Sequence, residues 1–414
     1  MKIILIIYFS FLFLSSSGCQ QPEKTQKVMF GDEIFITNHL DLIKGKQIGI
    51  ITNQTGVLPN GTHLVDTLFN LGYNIAAIFA PEHDFRGKLL AGESFENKVD
   101  AETGIPVYSI YGKTKKPTKE SLVNLDILLF DIQDIGARFY TYISTLYYVL
   151  QAAAENNIPV VVLDRPDPLS GTNIDGPVLS DEFKSFIGIA TIPVIYGLTV
   201  GEIAKLFTGE NYIGTDSTPD LTIIKLDGWK REYYWDDFEN NWIPTSPNIP
   251  GFETALVYPG TCFLEGTNVS EGRGTEEPFS TIGAPFIKSD KLISEMKKNN
   301  IPGVELTPVT FSPKKIAGKT NNPKYEGIEC YGIKISITDK TKFKAVEFGV
   351  YLLSSLINLY NQNFRFKDDF FDKLAGTDRL RKELLAGKVP YEIIKSWNTA
   401  LEKFKSIRKK YLLY

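Results

Sequence analysis

Short apolar runs alternate with longer amphipathic stretches in the first half of the chain, and this alternation restricts the fold most. The apolar runs are QIGIIT, NIAAIFA, DILLFDI and PVVVLD, which begin at residues 47, 74, 126 and 159. Such runs are typical of strands buried on both faces of a parallel sheet. Between them lie the helical patterns THLVDTLFNLG and YTYISTLYYVLQAAAENN. The repeated strand and helix units predict an α/β fold with a Rossmann-like, mostly parallel sheet.

The second half of the chain has a different pattern. A stretch rich in Pro, Gly and aromatic residues covers residues 227–260, and we place a domain boundary near residue 250. The later segments GIECYGIKISITD and KAVEFGVYLLSSLINLY predict strands and an amphipathic helix. A chain of 414 residues commonly forms two domains. We therefore expect a Rossmann-like domain that carries the catalytic site over residues 31–250, and a smaller mixed α/β domain over residues 251–414.

The N-terminus has the pattern of an export signal. Residues 1–19 contain one early Lys, an apolar run and small residues that end at Cys19, which indicates a signal peptide rather than a membrane span. The segment SSSGC resembles a bacterial lipoprotein cleavage site and predicts lipidation of Cys19; ordinary cleavage is the alternative. Residues 20–30 would then be a polar tether that holds an exported protein at the periplasmic face of a membrane. The sequence leaves open whether Cys262 and Cys330 form a disulfide.

Polar side chains follow each predicted strand, at the edge where ligands bind in an open parallel sheet. The clusters are Thr52-Asn53-Gln54, Glu82-His83, Asp131-Ile132-Gln133-Asp134 with Arg138, and Asp164-Arg165. Asp and Asn at such positions also cap the following helices, which is the competing interpretation of each cluster alone. Because four clusters share one sheet edge, we expect them to converge on a ligand. The predicted substrate-binding residues of this half are Asn53, Arg86, Asp131, Gln133, Asp134, Arg138, Tyr140, Asp164 and Arg165.

No cofactor signature accompanies the sheet. TNQTGV follows the first strand without the glycine fingerprint of a dinucleotide site, and neither a Walker loop nor a G-x-S-x-G motif occurs. Glu82, His83, Asp131 and Asp134 are metal-binding types, but the chain has only three histidines and no H-x-x-x-H or C-x-x-C spacing. We therefore expect neither a cofactor nor a metal. The net charge of −4, with no long basic block outside KFKSIRKKY, argues against nucleic acid as a partner.

The remaining chemistry is that of carboxylates. Glycoside hydrolysis uses one carboxylic acid to protonate the leaving oxygen and a second group as nucleophile or base. Glu82 suits the acid, because Phe79 and Phe85 would partly remove it from water and raise its pKa above the free value of about 4.3. His83 and Arg86 would hold Glu82 in place or bind an anionic group of the sugar. Glu82 and His83 are therefore catalytic candidates.

A second polar cluster lies in the segment FLEGTNVSEGRGTEEPF. Its catalytic candidates are Glu265 and Glu271, and its predicted substrate ligands are Asn268 and Arg273. The glycines of this segment would let the backbone approach a ligand closely. A turn-rich loop stabilised by its own hydrogen bonds is the alternative. Tyrosines such as Tyr140 supply ring faces on which a sugar can stack.

Several long motifs occur in order between about residues 30 and 414. They include ITNQTGV, FAPEHDFRG, LLFDIQDIGARFYTYISTL, VVLDRPDPLSG, PTSPNIP and YPGTCFLEGTNVSEGRGTEEPF. Together they resemble the exo-β-N-acetylmuramidases of the NamZ family. The resemblance implies removal of single N-acetylmuramic acid residues from the non-reducing ends of peptidoglycan fragments, in cell-wall recycling. It also implies a Rossmann-like first domain associated with the cleft, a smaller α/β second domain, and a catalytic acid at Glu82.

Two positions depart from the pattern of that family. Asp84 stands where the motif usually has Gly, and Asp167 stands where it usually has Asn. Asp84 places a second carboxylate beside the expected acid, which would raise the pKa of that acid or shift substrate preference. Muramic acid carries a lactyl carboxylate, and the candidate cations for binding it are Arg138, Arg165 and Arg273. The alternative functions are a sugar-binding lipoprotein without turnover and, less favoured, a metal-dependent hydrolase or deacetylase. The oligomeric state stays open.

Overall fold

The first half of the chain is built around a seven-stranded sheet in a computed structural model that describes residues 27–82, 84–87 and 96–414. The strands are β1 (Ile48–Thr52), β2 (Ile75–Ala80), β3 (Lys98–Val99), β4 (Pro106–Ser109), β5 (Ile127–Asp131), β6 (Val160–Leu163) and β7 (Leu221–Ile224). Their order is β3-β4-β2-β1-β5-β6-β7, and all neighbours are parallel except β3 and β4. The chain order reverses between β1 and β5, which is where open sheets of this kind have their ligand crevice.

Helices cover both faces of this sheet. The helices of this half are α1 (Gly31–Asn38), α2 (Leu64–Asn70), α3 (Lys119–Leu122), α4 (Tyr142–Asn156) and α5 (Val200–Gly209). Ile50 belongs to the apolar core shared with α1 and α2, whereas its neighbour Ile51 belongs to the core shared with α4 and α5. Successive strand residues point to opposite faces, so a strand buried on both faces must be apolar throughout. The predicted Rossmann-like sheet is thereby confirmed.

The second half is smaller and mixed. Its strands are β8 (Thr281–Ala284), β9 (Val304–Phe311) and β10 (Cys330–Ile337), which form an antiparallel sheet in the order β8-β10-β9. Its helices are α6 (Phe252–Thr261), α7 (Ser289–Lys297), α8 (Ala345–Tyr360), α9 (Asp368–Ala375), α10 (Arg379–Leu385), α11 (Pro390–Lys395) and α12 (Asn398–Arg408). The predicted mixed α/β class is confirmed, while the boundary near residue 250 stays a prediction.

Small residues allow close helix packing in this half, and one apolar core continues into it from the first half. Helices α6 and α8 cross where Gly260 meets Gly349, and a Cβ atom on Gly260 would lie 1.9 Å from the Ala345 carbonyl oxygen. The apolar core of α4 and α5 continues into this half through residues such as Phe263 and Phe348. The two halves are therefore packed against each other through buried apolar surface.

The C-terminal residues return to the first half. The Tyr414 hydroxyl donates a hydrogen bond to Asp164 Oδ2 over 2.7 Å and accepts one from the Leu226 amide over 2.7 Å. The Leu413 amide donates to Glu202 Oε1 over 2.7 Å, and the Tyr414 ring packs on Trp229. The end of the chain thus closes the edge of the sheet near β6 and β7.

The described residues bear on two questions, namely whether the two cysteines are bonded and whether a helix could cross a membrane. Cys262 and Cys330 are both buried free thiols, so the described residues contain no disulfide between them. No helix within residues 27–82, 84–87 and 96–414 is both long and apolar enough to cross a membrane. The predicted signal peptide and Cys19 lie outside the described residues.

Candidate active site

A cleft of about 740 Å³ lies where the two halves meet, beside the ends of β2 and β4 and the start of α4. The first half contributes Glu82, Tyr111, Tyr140, Thr141, Tyr142 and Ser246. The second half contributes Tyr258, Glu265, Glu271, Arg273, Lys324 and Lys367. The cleft thus brings together five of the residues that the sequence predicted for the site, namely Glu82, Tyr140, Glu265, Glu271 and Arg273.

Glu82 follows β2 directly and is half-buried at the cleft. Thr141 Oγ1 donates a hydrogen bond to Glu82 Oε2 over 3.2 Å. The Tyr111 hydroxyl is also hydrogen-bonded to Glu82, and burial together with this carboxylate raises the pKa of Tyr111. Two hydroxyl groups therefore hold the carboxyl group of Glu82, one from the loop after β4 and one from the start of α4.

The aromatic residues around Glu82 differ from the prediction. Phe79 stacks on Tyr108, and Phe85 packs edge-on against His63; neither phenylalanine lines the cleft. Their expected role in keeping water away from Glu82 is therefore wrong. Strand alternation explains the error, because Phe79 points into the core of the sheet. Tyr111, which comes from the neighbouring strand end, occupies the position expected for them.

Ion pairs fasten the turn that carries Glu82 to the segment around β3 and to α2. Asp84 is 2% exposed, and its Oδ2 lies 2.7 Å from Lys98 Nζ. Asp84 has a φ of 67°, a left-handed conformation that favours Gly. Arg86 Nη2 lies 2.9 Å from both Asp66 Oδ1 and Asp100 Oδ2. Arg86 thus anchors the turn and does not line the cleft, which corrects its predicted role in substrate binding.

On the wall formed by the second half, two carboxylates and two cations make a connected cluster. Arg273 Nη2 lies 2.7 Å from Glu265 Oε1, and Arg273 Nε lies 3.6 Å from Glu271 Oε1. Lys324 Nζ lies 2.9 Å from Glu271 Oε2. Burial alone would raise the pKa of Glu271, but the charges of Lys324 and Arg273 outweigh it and lower the pKa. Glu271 therefore stays ionised and suits a base or a charge stabiliser rather than a proton donor.

The glycines of this wall were predicted to let the backbone approach a ligand, but Gly272 instead allows close packing within the protein. Gly272 has a φ of 84°, and a Cβ atom there would lie 2.1 Å from the Thr281 carbonyl oxygen. The close approach is therefore to the backbone of β8 and not to a ligand. Asn268 is also structural, because its Nδ2 donates to the Asn363 carbonyl over 2.8 Å and its Oδ1 accepts from the Arg365 amide. The turn interpretation of these residues is the one that the geometry supports.

A proline-rich loop of residues 242–248 separates the cleft from a second cavity. Tyr140 donates a hydrogen bond to Thr245 Oγ1 over 2.8 Å, and Tyr142 donates to the Thr245 carbonyl over 2.5 Å. Gln54 Nε2 donates to the carbonyls of Pro244 and Thr245, both over 3.0 Å. These bonds hold the loop against the carboxyl edge of the sheet. Ser246 of the loop lines the cleft, and Ile243 lines the second cavity.

The second cavity has a volume of about 370 Å³ and is lined partly by residues that were predicted for the substrate site. It is lined by Phe30, Asp32, Val57, Gln133, Arg165, Trp235, Asn240 and Ile243, among others. Arg165 Nη2 pairs with Asp131 Oδ1 over 2.6 Å and with Asp32 Oδ2 over 2.8 Å. Burial raises the pKa of Asp131 despite the charge of Arg165. Asp131, Gln133 and Arg165 thus lie outside the cleft, because the ends of β5 and β6 face the other side of the loop.

Arg138 is fully buried and binds only backbone carbonyls. Its Nη1 donates to Pro177 and Ile192 over 2.7 and 2.9 Å, and its Nη2 donates to Leu374 over 3.0 Å. These bonds connect the first half of the chain with α9, and they leave no approach for a substrate. Of the three arginines proposed for the lactyl carboxylate, only Arg273 lines the cleft.

Three further residues predicted to bind substrate satisfy backbone groups instead. Asp164 Oδ1 accepts from the Gly201 amide over 2.6 Å at the start of α5, and Asp134 Oδ2 accepts from the Gly136 amide over 2.7 Å. Asn53 Oδ1 accepts from the Thr55 amide over 2.9 Å. Burial raises the pKa of Asp134 and of Asp164 to about 7. The capping interpretation is therefore correct for Asp164, since buried polar groups take partners within the fold.

Local sequence patterns did not identify some residues that line the cleft. Lys324 lies in the loop NNPKYEG, which carries no motif, and it contacts the Val269 carbonyl across 55 positions of sequence. Thr141 and Ser246 likewise carry no signal beyond their place beside Tyr140 and in PTSPNIP. His83 lies outside the described residues, so its predicted role stays a prediction. Among the residues that the structure describes, no group of three His, Cys, Asp or Glu side chains has a metal-binding arrangement.

A Rossmann-like sheet with a glutamate at a strand end, facing a cleft that contains further carboxylates, fits the class of glycoside hydrolases that work with paired carboxyl groups. Comparison with known proteins makes this class specific. Residues 48–253 match the N-terminal region of the exo-β-N-acetylmuramidase NamZ, and residues 256–414 match its C-terminal region. The chain therefore belongs to the exo-β-N-acetylmuramidase NamZ family.

Individual relatives agree with that membership. The chain is 44% identical over 402 residues to the peptidoglycan β-N-acetylmuramidase NamZ of Bacillus subtilis (strain 168). The aligned region covers 97% of this chain and 94% of that protein. Two crystal structures of DUF1343 family proteins from Bacteroides fragilis NCTC 9343 share the fold, with TM-scores of 0.85 and 0.75. Their identities are 33% and 34%, and each match covers 94% of this chain and 99% of the other chain.

Proposed function

We propose that the protein is an exo-acting β-N-acetylmuramidase, a glycoside hydrolase that releases non-reducing terminal N-acetylmuramic acid from peptidoglycan fragments during cell-wall turnover and recycling. Membership of the NamZ family across both halves of the chain carries this proposal. The cleft supports it independently, because Glu82 is held there beside two further carboxylates and several tyrosines.

Glu82 is the general acid in this proposal. Its proton passes to the glycosidic oxygen while the bond from the anomeric carbon to that oxygen breaks, and the oxygen leaves as a hydroxyl. Thr141 and Tyr111 fix the carboxyl group through their hydroxyls. The sugar then gains the oxygen of a water molecule, whose proton goes to a base. Glu271 and Glu265 are the candidates for that second group, since both carboxylates line the cleft.

Arg273 is proposed to bind the lactyl carboxylate that distinguishes muramic acid. Its hydrogen bonds to Glu265 use Nε and Nη2, and Nη1 makes no hydrogen bond within the described part of the chain. Lys367 is exposed and lines the same cleft. A substrate carboxylate there would meet one planar donor group and one mobile ammonium group.

The activity is tested by incubating the protein with the MurNAc-GlcNAc disaccharide and separating the products by liquid chromatography and mass spectrometry. Free N-acetylmuramic acid should appear with the wild type and not with Glu82→Gln. A trisaccharide that ends in GlcNAc at its non-reducing end should not be cleaved, because the activity is exo-acting. Tight binding without any release by the wild type would instead support a non-catalytic binding protein.

Export and lipidation are a separate proposal that rests on residues 1–19 alone. The pattern ending at Cys19 would attach the protein to the periplasmic face of a membrane through a lipid, with residues 20–30 as a tether. Mass spectrometry of the mature N-terminus tests this proposal. A diacylglyceryl group on Cys19 that is absent from Cys19→Ala is the expected result, and a mature chain that starts elsewhere would contradict it.

A further inference from the structure

The second cavity is a built polar site and not an incidental gap. Arg165 is 2% exposed and lies over the Phe30 ring, with its carbon Cζ 5.3 Å from the ring centroid. Its Nε and Nη2 are engaged by Asp131 and Asp32, whereas Nη1 makes no hydrogen bond within the described residues. A buried guanidinium held in one orientation by two carboxylates, with one donor edge unused, presents a fixed hydrogen-bond donor at the cavity.

Other lining residues carry polar atoms without partners. Gln133 Oε1, Asn240 Oδ1 and Trp235 Nε1 are buried and have no hydrogen-bond partner among the described residues. Gln133 and Trp235 are only 3% and 5% exposed. Buried polar atoms almost always have partners, so these side chains in the cavity wall have unused hydrogen-bonding capacity. A single water molecule is too small to fill 370 Å³.

The charges of the cavity disfavour an anionic occupant, since Glu239 adds a further carboxylate to the lining. Arg165 is balanced by Asp32 and Asp131, and Lys27 pairs with Glu33 over 3.0 Å at the lining. No excess of positive charge remains to attract an anion such as the muramic carboxylate. The walls also include the apolar side chains of Phe30, Val57, Leu58 and Trp235. Apolar faces combined with planar amide and guanidinium groups suit a ring that has hydroxyl and amide groups at its edge.

We propose that the second cavity binds a neutral N-acetylhexosamine unit of a peptidoglycan saccharide. The choice of this ligand rests on the proposed function, which makes such sugars available in the same substrate. The position of the cavity supports a link with the cleft, since the loop of residues 242–248 forms a wall of both. A sugar bound against Ile243 would contact the loop that Tyr140 and Tyr142 hold beside the active site.

The proposal is tested with N,N′-diacetylchitobiose, a neutral probe without a lactyl group, and isothermal titration of the full chain carrying Glu82→Gln. Adding Asn240→Ala removes one unpaired acceptor, and adding Val57→Trp fills the cavity. We expect Asn240→Ala to weaken binding about tenfold, the loss of one hydrogen bond, and Val57→Trp to abolish it. In the presence of Glu82, both substitutions should leave the rate of hydrolysis of MurNAc-GlcNAc unchanged, which also shows that the variants are folded.

Three results would overturn the proposal. Equal affinity in all variants would place the probe in the cleft alone, and absence of binding to every variant would mean that the cavity is not a sugar site. Tighter binding of N-acetylmuramic acid than of the neutral probe at this cavity would contradict the charge argument. The outcome is independent of catalysis: failure of the wild type to release muramic acid would refute the proposed function while the binding results still stand.

Discussion

The ion pair between Asp84 and Lys98 gives a sharp test of how the turn carrying Glu82 is held. Asp84 is buried, whereas Lys98 exposes 43% of its side chain, so water would partly replace the ammonium group if it were removed. Breaking a fully buried pair costs about 3–5 kcal/mol, and an exposed pair contributes about 0–1 kcal/mol. The intermediate exposure leads us to expect that Lys98→Met destabilises the protein by about 1–2 kcal/mol.

Asp84→Gly should behave differently. It removes the buried carboxylate and places Gly at a φ of 67°, where Gly is favoured. Greater freedom of Gly in the unfolded chain offsets that gain, so the net change should lie within about 1 kcal/mol of zero. In Asp84→Gly, the further change Lys98→Met should cost less than it does in the wild type, because Lys98 no longer neutralises the buried carboxylate of Asp84.

The assay is a double-mutant cycle measured by calorimetry. Lys98→Met alone should lower Tm by about 1–2 °C, and the same substitution made in Asp84→Gly should lower Tm by clearly less. Lys98→Met should also lower kcat for MurNAc-GlcNAc, since the turn positions Glu82. Additive effects of the two substitutions on Tm would refute the reasoning, because they would show that the two side chains do not interact.

Two further predictions concern buried carboxylates in the first half. Burial raises the pKa of Asp134 to about 7, so the native state keeps a proton that the unfolded state releases near pH 4. The free energy of unfolding should therefore fall between pH 5 and pH 7, by up to about 1.4 kcal/mol per pH unit for this group. Denaturant titrations at several pH values should show a shallower fall for Asp134→Asn. An equal slope for the wild type and the variant would contradict this prediction. Tyr414→Phe removes the hydroxyl that donates to Asp164 and should lower the free energy of unfolding by about 1–3 kcal/mol. Tyr411→Phe loses a hydrogen bond to the more exposed Glu210 and should lower the free energy of unfolding by less. Denaturant titration of both variants measures the difference.

The fold of the first half was predictable because its signal is local. Each of the four apolar runs forms a strand, and the alternation of buried faces is a direct consequence of backbone geometry. The place of the polar clusters at one sheet edge followed from the same rule. The pattern of the second half predicted its strand β10 and helix α8 but not the antiparallel order of its sheet, which depends on pairing between distant segments.

The division of polar residues between two cavities was not predictable in this way. Arg138 binds a carbonyl 236 positions away, and Asp164 binds a hydroxyl 250 positions away. Such partners are chosen by packing of the whole chain, and desolvation then requires each buried charge to be satisfied there. Arg165 lies near the end of β6, at the predicted edge of the sheet, but it faces the other side of the loop of residues 242–248. Of the three arginines predicted for the lactyl carboxylate, only Arg273 lies in the cleft.

The general-acid role of Glu82 is the central claim, and the most direct test compares two leaving groups. The rate of release of N-acetylmuramic acid is measured for the wild type and Glu82→Gln with MurNAc-GlcNAc and with 4-methylumbelliferyl N-acetylmuramide. A sugar hydroxyl needs protonation to leave, whereas the phenol of the second substrate leaves readily as its anion. The account predicts a loss of about 10²–10⁴-fold on the disaccharide and a much smaller loss on the aryl glycoside. Equal losses on both substrates would contradict it, since Glu82 would then act in a step other than protonation of the leaving oxygen.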